Sequence, residues 1–248
     1  MQERYLGDVH DFFKYRFLRH LASATSYRIG LNWYLTRPDD VDSPKRKDGE
    51  QRFHLLGNDK KQWRGWDSDL FEKLVVFKDV EQRRMPYFYR RQILDPRVSY
   101  FDEYVPITSK QADEWHQRAL YNLRDCDFVF LDPDNGFEVK SARGRRAAKY
   151  ANYTHVADYL SAGKAVVCIQ FARQCDPIEK AMEIREKLKS QIGDAKVLPI
   201  IRGRLSPNLL FVPIAPQDKF SETATAIQSF VESAPPIGNT GVRAELID

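Results

Sequence analysis

The sequence predicts a single α/β domain with a mostly parallel central sheet flanked by helices and a C-terminal antiparallel strand pair. Three observations predict it. From Phe128 onward, short apolar runs alternate with segments of helical period. Phe128-Val129-Phe130-Leu131 is apolar without a break, as expected of a strand buried on both faces. The connection over 202–208 between the last two apolar runs is too short for a crossover helix, so those two strands run antiparallel. With 248 residues, 42% of them hydrophobic, the chain can bury one sizeable core.

Taken in order, Phe13, Phe17, Leu18 and Leu21 recur at helical spacing and predict an amphipathic helix over 9–24, with Asp8 as its N-cap. A strand over 28–36 runs into Arg37-Pro38-Asp39-Asp40, which stops it. Residues 40–61 are rich in Asp, Lys, Arg and Gly and read as a long surface loop. A short helix over 70–78, a strand over 98–105 and a helix over 109–124 follow. That helix is capped by Ser109 and carries Trp115, Ala119 and Leu123 on one face. Strands are predicted over 128–131, 165–171, 197–201 and 209–214, and helices over 154–161, 177–192 and 220–231. The domain then covers 1–232, and 233–248 reads as a tail containing Pro and Gly.

Composition narrows the class. No apolar stretch reaches the roughly 18–20 residues of a membrane span, and the first residues lack a signal-peptide core, so a cytoplasmic location is expected. Three cysteines, with no Cys-x-x-Cys pair, predict free thiols and no structural zinc. The net charge is only +4, but the arginines are clustered, which points to an anionic partner.

The acidic loop Asp132-Pro133-Asp134-Asn135-Gly136 begins where the apolar strand ends, and ligands of open α/β sheets sit beyond the carboxyl ends of strands. Asp132, Asp134 and Asn135 are therefore the candidate catalytic residues. Such a carboxylate pair can activate water, stabilise an oxocarbenium ion or hold a metal; the same five residues also favour a plain turn. Asp8, Lys14, Glu138, Ser206 and Asn208 are candidate substrate contacts, and His10 could reach the same cleft from the first helix. Nucleic-acid contacts are expected from Arg83, Arg84, Tyr87, Arg90 and Arg91, where arginines bracket aromatics, from Arg143, Arg145, Arg146 and Lys149, and from Arg202 and Arg204.

Asp132-Pro133 and Ser206-Pro207 resemble the water-positioning Asp-Pro loop and the late Ser-Pro loop of the uracil-DNA glycosylase superfamily. The acid loop here falls past the middle of the chain, whereas in that superfamily it comes early. In size and basic character the chain also resembles a bacterial phage-defence glycosylase family acting on glucosylated hydroxymethylcytosine. These resemblances imply excision of a flipped, modified base from phage DNA, with Asp132 as the acid, Asn135 as a base-reading amide and no cofactor. A second layout is similar: adenine-specific methyltransferases, in which a strand ends in Asp-Pro-Pro-Tyr and an antiparallel hairpin closes the sheet. Against it, Asn135-Gly136-Phe137 departs from that motif, and no glycine-rich turn follows the first strand. A third reading is a non-catalytic nucleic-acid-binding module.

Overall fold

The computed structural model describes residues 1–42, 53–56, 60–237 and 241–248. Asp8, extended, accepts the Asp11 amide on its side chain and starts α1 (Val9–Ala24), which buries Phe12, Phe13, Phe17, Leu18 and Leu21. β1 (Ile29–Asn32) follows. Arg37-Pro38 then opens a helical turn, α2 (Pro38–Val41), because proline is preorganised for the first helical position.

The expected surface loop over 40–61 carries helical segments where it is described. α3 (Phe53–Leu56) and α4 (Lys60–Trp66) bury His54, Leu55 and Trp63, and the His54 ring packs edge-on against Phe12 and Trp63. A few apolar anchors outweigh a polar average. The remainder of that segment, 43–52 and 57–59, lies outside the described residues.

α5 (Ser68–Val75), α6 (Met85–Arg90), β2 (Val98–Phe101) and α7 (Ser109–Asn122) come next. Thr108, not Ser109, is the last extended residue before α7 and therefore its N-cap. The alternating stretch is β3 (Phe128–Leu131), β4 (Gly136–Phe137), β5 (Tyr150–Ala151), α8 (Tyr153–Ser161), β6 (Ala165–Ala172), α9 (Pro177–Lys189), β7 (Lys196–Val197), β8 (Ile200–Gly203) and β9 (Asn208–Ala215). α10 (Phe220–Ser233), β10 (Pro236–Ile237), β11 (Gly241–Val242) and β12 (Ala244–Ile247) complete the chain.

The main sheet runs β12-β8-β9-β6-β3-β1-β2, with β7 also pairing β9. β2, β1, β3 and β6 are parallel, whereas β9 is antiparallel to both β6 and β8. Alternate side chains of β3 enter two cores. Phe128 and Phe130 pack with α1 and α10, and Val129 and Leu131 pack with the α7, α8 and α9 side. This is the helix-on-both-faces α/β arrangement.

The predicted tail is corrected by the sheet. β12 pairs antiparallel with β8 and buries Ala244 and Ile247, because β8 would otherwise present an unpaired edge. Among the described residues no helix is long and apolar enough to cross a membrane.

Candidate functional site

The parallel strands β1, β3 and β6 end level with one another, Asn32 opposite Leu131 and Leu131 opposite Cys168. Beyond that edge lies a cavity of about 220 Å³, lined among others by Asp8, His10, Asp11, Lys14, Asp132, Asp134, Asn135, Phe171, Arg173 and Pro207. The Asp132 amide continues the ladder by donating to Asn32 O at 3.0 Å, which fixes where its carboxylate starts. Gly136 turns the loop at φ +114°, and a Cβ there would meet Gln170 Oε1 at 2.3 Å. Gln170 ties the turn down: Nε2 donates to Asn135 O at 3.0 Å, and Oε1 accepts the Phe137 amide at 3.0 Å.

Lys14 reaches from α1 into the floor. Its Nζ donates to both Asp132 carboxylate oxygens, at 3.1 and 2.9 Å, and lies 2.6 Å from Asp11 Oδ1. Burial works against the Lys14 ammonium, but Asp11, Asp132 and Asp8 outweigh it and hold the proton more firmly than usual. Burial first, then the like charges of Asp8 and Asp132, push the Asp11 carboxyl upward despite Lys14. Asp8 is also penalised by burial, yet His10 and Lys14 hold it below the usual carboxylate range. His10 stands at the side of the cavity, Nδ1 3.4 Å from Asp8 Oδ2 and Nε2 3.1 Å from Pro207 O.

Asp134 belongs to a different network. Its Oδ1 lies 3.0 Å from the Met1 amino group, and its Oδ2 accepts from Thr36 Oγ1 at 2.7 Å and Gln2 Nε2 at 3.0 Å. Lys149 Nζ is 3.8 Å from Asp134 Oδ2 and donates to Asp42 Oδ1 at 2.7 Å. Against burial, the Met1 amino group and Lys149 hold Asp134 below the ordinary carboxylate range. With its oxygens so occupied, Asp134 holds the loop in place, while the cavity floor is formed by Asp132.

The structure brings Asp8, Lys14, Asp132, Asp134, Asn135 and Lys149 together around one cavity. Other expected site residues fall elsewhere. Glu138 is exposed and accepts the Tyr153 amide at 3.0 Å, at the start of α8. Ser206 is exposed and is not among the cavity-lining residues; its neighbour Pro207 lines the wall. Asn208 accepts from Arg202 Nε at 3.0 Å.

Arg83 is a correction. It is buried, with its guanidinium donating to the carbonyls of Phe77, Arg4 and Lys78, because the chain wraps around it. Arg84, Arg90 and Arg91 are exposed, and Arg90 lies over the half-buried Tyr87. Arg143, Arg145 and Arg146 are exposed, whereas Lys149 is turned inward at the end of a 3₁₀ turn and serves the cavity instead of a surface. Arg202 and Arg204 are both paired with Glu245 of β12, at 2.8 and 3.0 Å.

Asp11, Phe171 and Arg173 escaped sequence reasoning. Asp11 was detectable, because it lies three positions after Asp8 and three before Lys14, the spacing that shares one helix face. Phe171 and Arg173 carry no local signal. The Arg173 guanidinium lies over the Phe171 ring, 4.9 Å from its centroid. Among the described residues no group of three or more His, Cys, Asp or Glu side chains is disposed to hold a metal ion; the Lys14 ammonium occupies the centre of the carboxylate cluster. The chain matches no protein-family model, and no curated protein is similar to it.

Proposed function

We propose that this protein hydrolyses the N-glycosidic bond of a modified base in DNA, leaving an abasic site, and that it does so against phage DNA. The observation that carries this reading is the surplus of buried carboxylate at the cavity floor. Asp8, Asp11 and Asp132 crowd one ammonium, Lys14, and once His10, 3.4 Å from Asp8, has given up a proton, two carboxylates face that single cation even with Asp11 protonated. A preorganised anionic floor favours a transition state that gains positive charge, as the sugar does when its bond to a base breaks. Asp132, at the end of the central strand, is the group that stabilises this charge and aligns water.

Size agrees with the reading. A cavity of about 150 Å³ is enough to hold a benzene ring. The 220 Å³ here suits the heterocycle of one flipped nucleotide, with Asn135 to read its edge and Phe171 as an apolar wall, and a glucosyl group on that base would have to extend past the cavity mouth. The exposed Arg143, Arg145, Arg146 and Arg173 supply cations beside the loop for the backbone phosphates. A glucosylated hydroxymethylcytosine is the base we test first.

One observation favours the methyltransferase-like alternative: β9 is inserted antiparallel between β6 and β8, as in the closing hairpin of those enzymes. Yet the end of β1 is covered by the chain's own first residues, with the Met1 amino group donating to Tyr34 O and the Thr36 amide to Met1 O. These residues sit where a nucleoside cofactor would have to approach β1.

The test exposes purified protein to unmodified DNA and to phage DNA carrying glucosylated hydroxymethylcytosine and scores alkali-labile abasic sites, with Asp132→Asn in parallel. Breaks confined to the modified DNA and lost in the variant are expected. No breaks in either DNA, together with saturable binding of S-adenosylmethionine by calorimetry, would move the assignment to the alternative.

A further inference from the structure

Breaking the bond between a sugar and a neutral base leaves an anion unless a proton arrives, and the cavity holds a buried imidazole able to supply it. His10 sits in the first turn of α1 with both ring nitrogens engaged. Nδ1 is 3.4 Å from Asp8 Oδ2, Nε2 is 3.1 Å from Pro207 O, and the ring stands edge-on to Phe171 with centroids 5.1 Å apart. Both polar neighbours are acceptors. A neutral imidazole carries one N–H and one lone pair, so only the doubly protonated ring can donate on both sides.

The charged groups that line the cavity with this ring are Asp8, Asp11 and Lys14 from its own helix and its cap, the Met1 amino group, Asp132 and Asp134 from the loop after β3, Lys149 from the 3₁₀ turn and Arg173 just past β6; the connection between β8 and β9 offers the Pro207 carbonyl. Asp8 is fixed from below, since its other oxygen accepts the Asp11 amide at 2.9 Å. It cannot swing away without uncapping α1.

We propose that His10 is the proton donor to the departing base and that Asp8 is its positioning residue, an assignment that rests on the base-excision reading above. As the bond from C1′ to the base nitrogen breaks, its electron pair goes to the base and the His10 ring proton follows. Water adds through oxygen to C1′, and the proton it sheds restores the ring. One water is consumed, one N–H forms on the base and one C–O bond forms on the sugar. The timing is electrostatically apt. Losing its proton makes the pocket one charge more negative as the sugar becomes positive.

The experiment measures single-turnover excision from glucosylated phage DNA across pH 5–9 for the wild-type protein, His10→Gln, Asp8→Asn and Asp132→Asn, with melting temperatures alongside. The wild-type rate should fall on the alkaline side. His10→Gln should be slower by about 10²-fold at the acidic end, the usual range for a lost general acid, and its alkaline fall should disappear. Asp8→Asn should keep the alkaline fall while slowing excision less than His10→Gln does. A His10→Gln protein that is folded and slowed equally at every pH, with the fall intact, overturns the assignment while leaving base excision standing. A wild-type protein that excises nothing overturns both.

Discussion

Lys14 and Lys149 are each buried between two aspartates, yet the two clusters carry opposite surpluses. Around Lys14, three carboxylates share one ammonium, and Asp11 is pushed toward protonation by burial and its neighbours. Around Lys149, Asp42 and Asp134 meet Lys149, Arg4 and the Met1 amino group, and both carboxyls are held below the ordinary range despite burial. Asp132 and Asp134 are two positions apart and belong to different sides of this division. A cluster with cations to spare locks a loop; one short of them waits for a cation. The difference teaches that neighbouring acids of one loop can serve separate networks.

The largest effect should come from removing the centre of the unbalanced cluster. Lys14→Met leaves three buried carboxylates without their ammonium and should cost about 3–5 kcal/mol of stability at pH 7. Urea denaturation reads it, and the loss should shrink at pH 5 as Asp11 binds its proton more readily. An equal loss at both pH values would break the comparison. Lys149→Met should cost less, about 1–3 kcal/mol, because Gln2, Arg4 and Thr36 still reach the two carboxylates. If it proves as damaging as Lys14→Met, the two clusters are energetically alike.

A third polar cluster sharpens the contrast because it contains no lysine. His116 and His155 stack with centroids 3.8 Å apart, and His155 Nδ1 meets the Tyr34 hydroxyl at 2.9 Å. Burial, then the neighbouring His116, pushes His155 down to about 3 from its ordinary 6.5, and burial lowers His116 as well. A folded-state value below the unfolded one means the contribution is complete above about pH 6.5 and is lost as pH falls toward 3. Each pH unit in that window costs about 1.4 kcal/mol for one such group. His155→Phe should therefore lose less stability than the wild type between pH 7 and pH 5, as read by urea midpoints.

Two adjacent arginines give the smallest effects. Arg83→Ala removes donors from three carbonyls and should cost about 1 kcal/mol or somewhat more, whereas exposed Arg84→Ala should change stability by less than about 0.5 kcal/mol. Thermal melts of the two single variants distinguish them. Equal values would place Arg83 back on the surface.

What could be read from the sequence was what local pattern determines. The apolar run ending in Asp132, the helical period after Asp8 and the short connection before β9 each express a rule within a few residues, and the structure has all three. Arg83 was misread because its burial depends on carbonyls of Phe77 and Arg4, which composition does not reveal. Lys149 looked like the end of a basic surface run until the turn over Gly144–Lys149 carried it inward. Arg202 and Arg204 looked free because Glu245 lies about forty positions later, in a segment that reads as tail. Asp42 gave no sign of closing the second cluster.

The antiparallel placement of β9 has a consequence for how the molecule is made. The cavity joins residues near the start of the chain to Pro207, and the connection carrying Pro207 is anchored only when β9 pairs with β6. A ribosome that has released α1, β1 and β3 has delivered every carboxylate of the floor but not the wall against which His10 rests. Contacts so distant in sequence form late in folding. The growing chain thus carries the acids of the cavity floor through nearly half of its synthesis, and the wall against which His10 rests is added only after them.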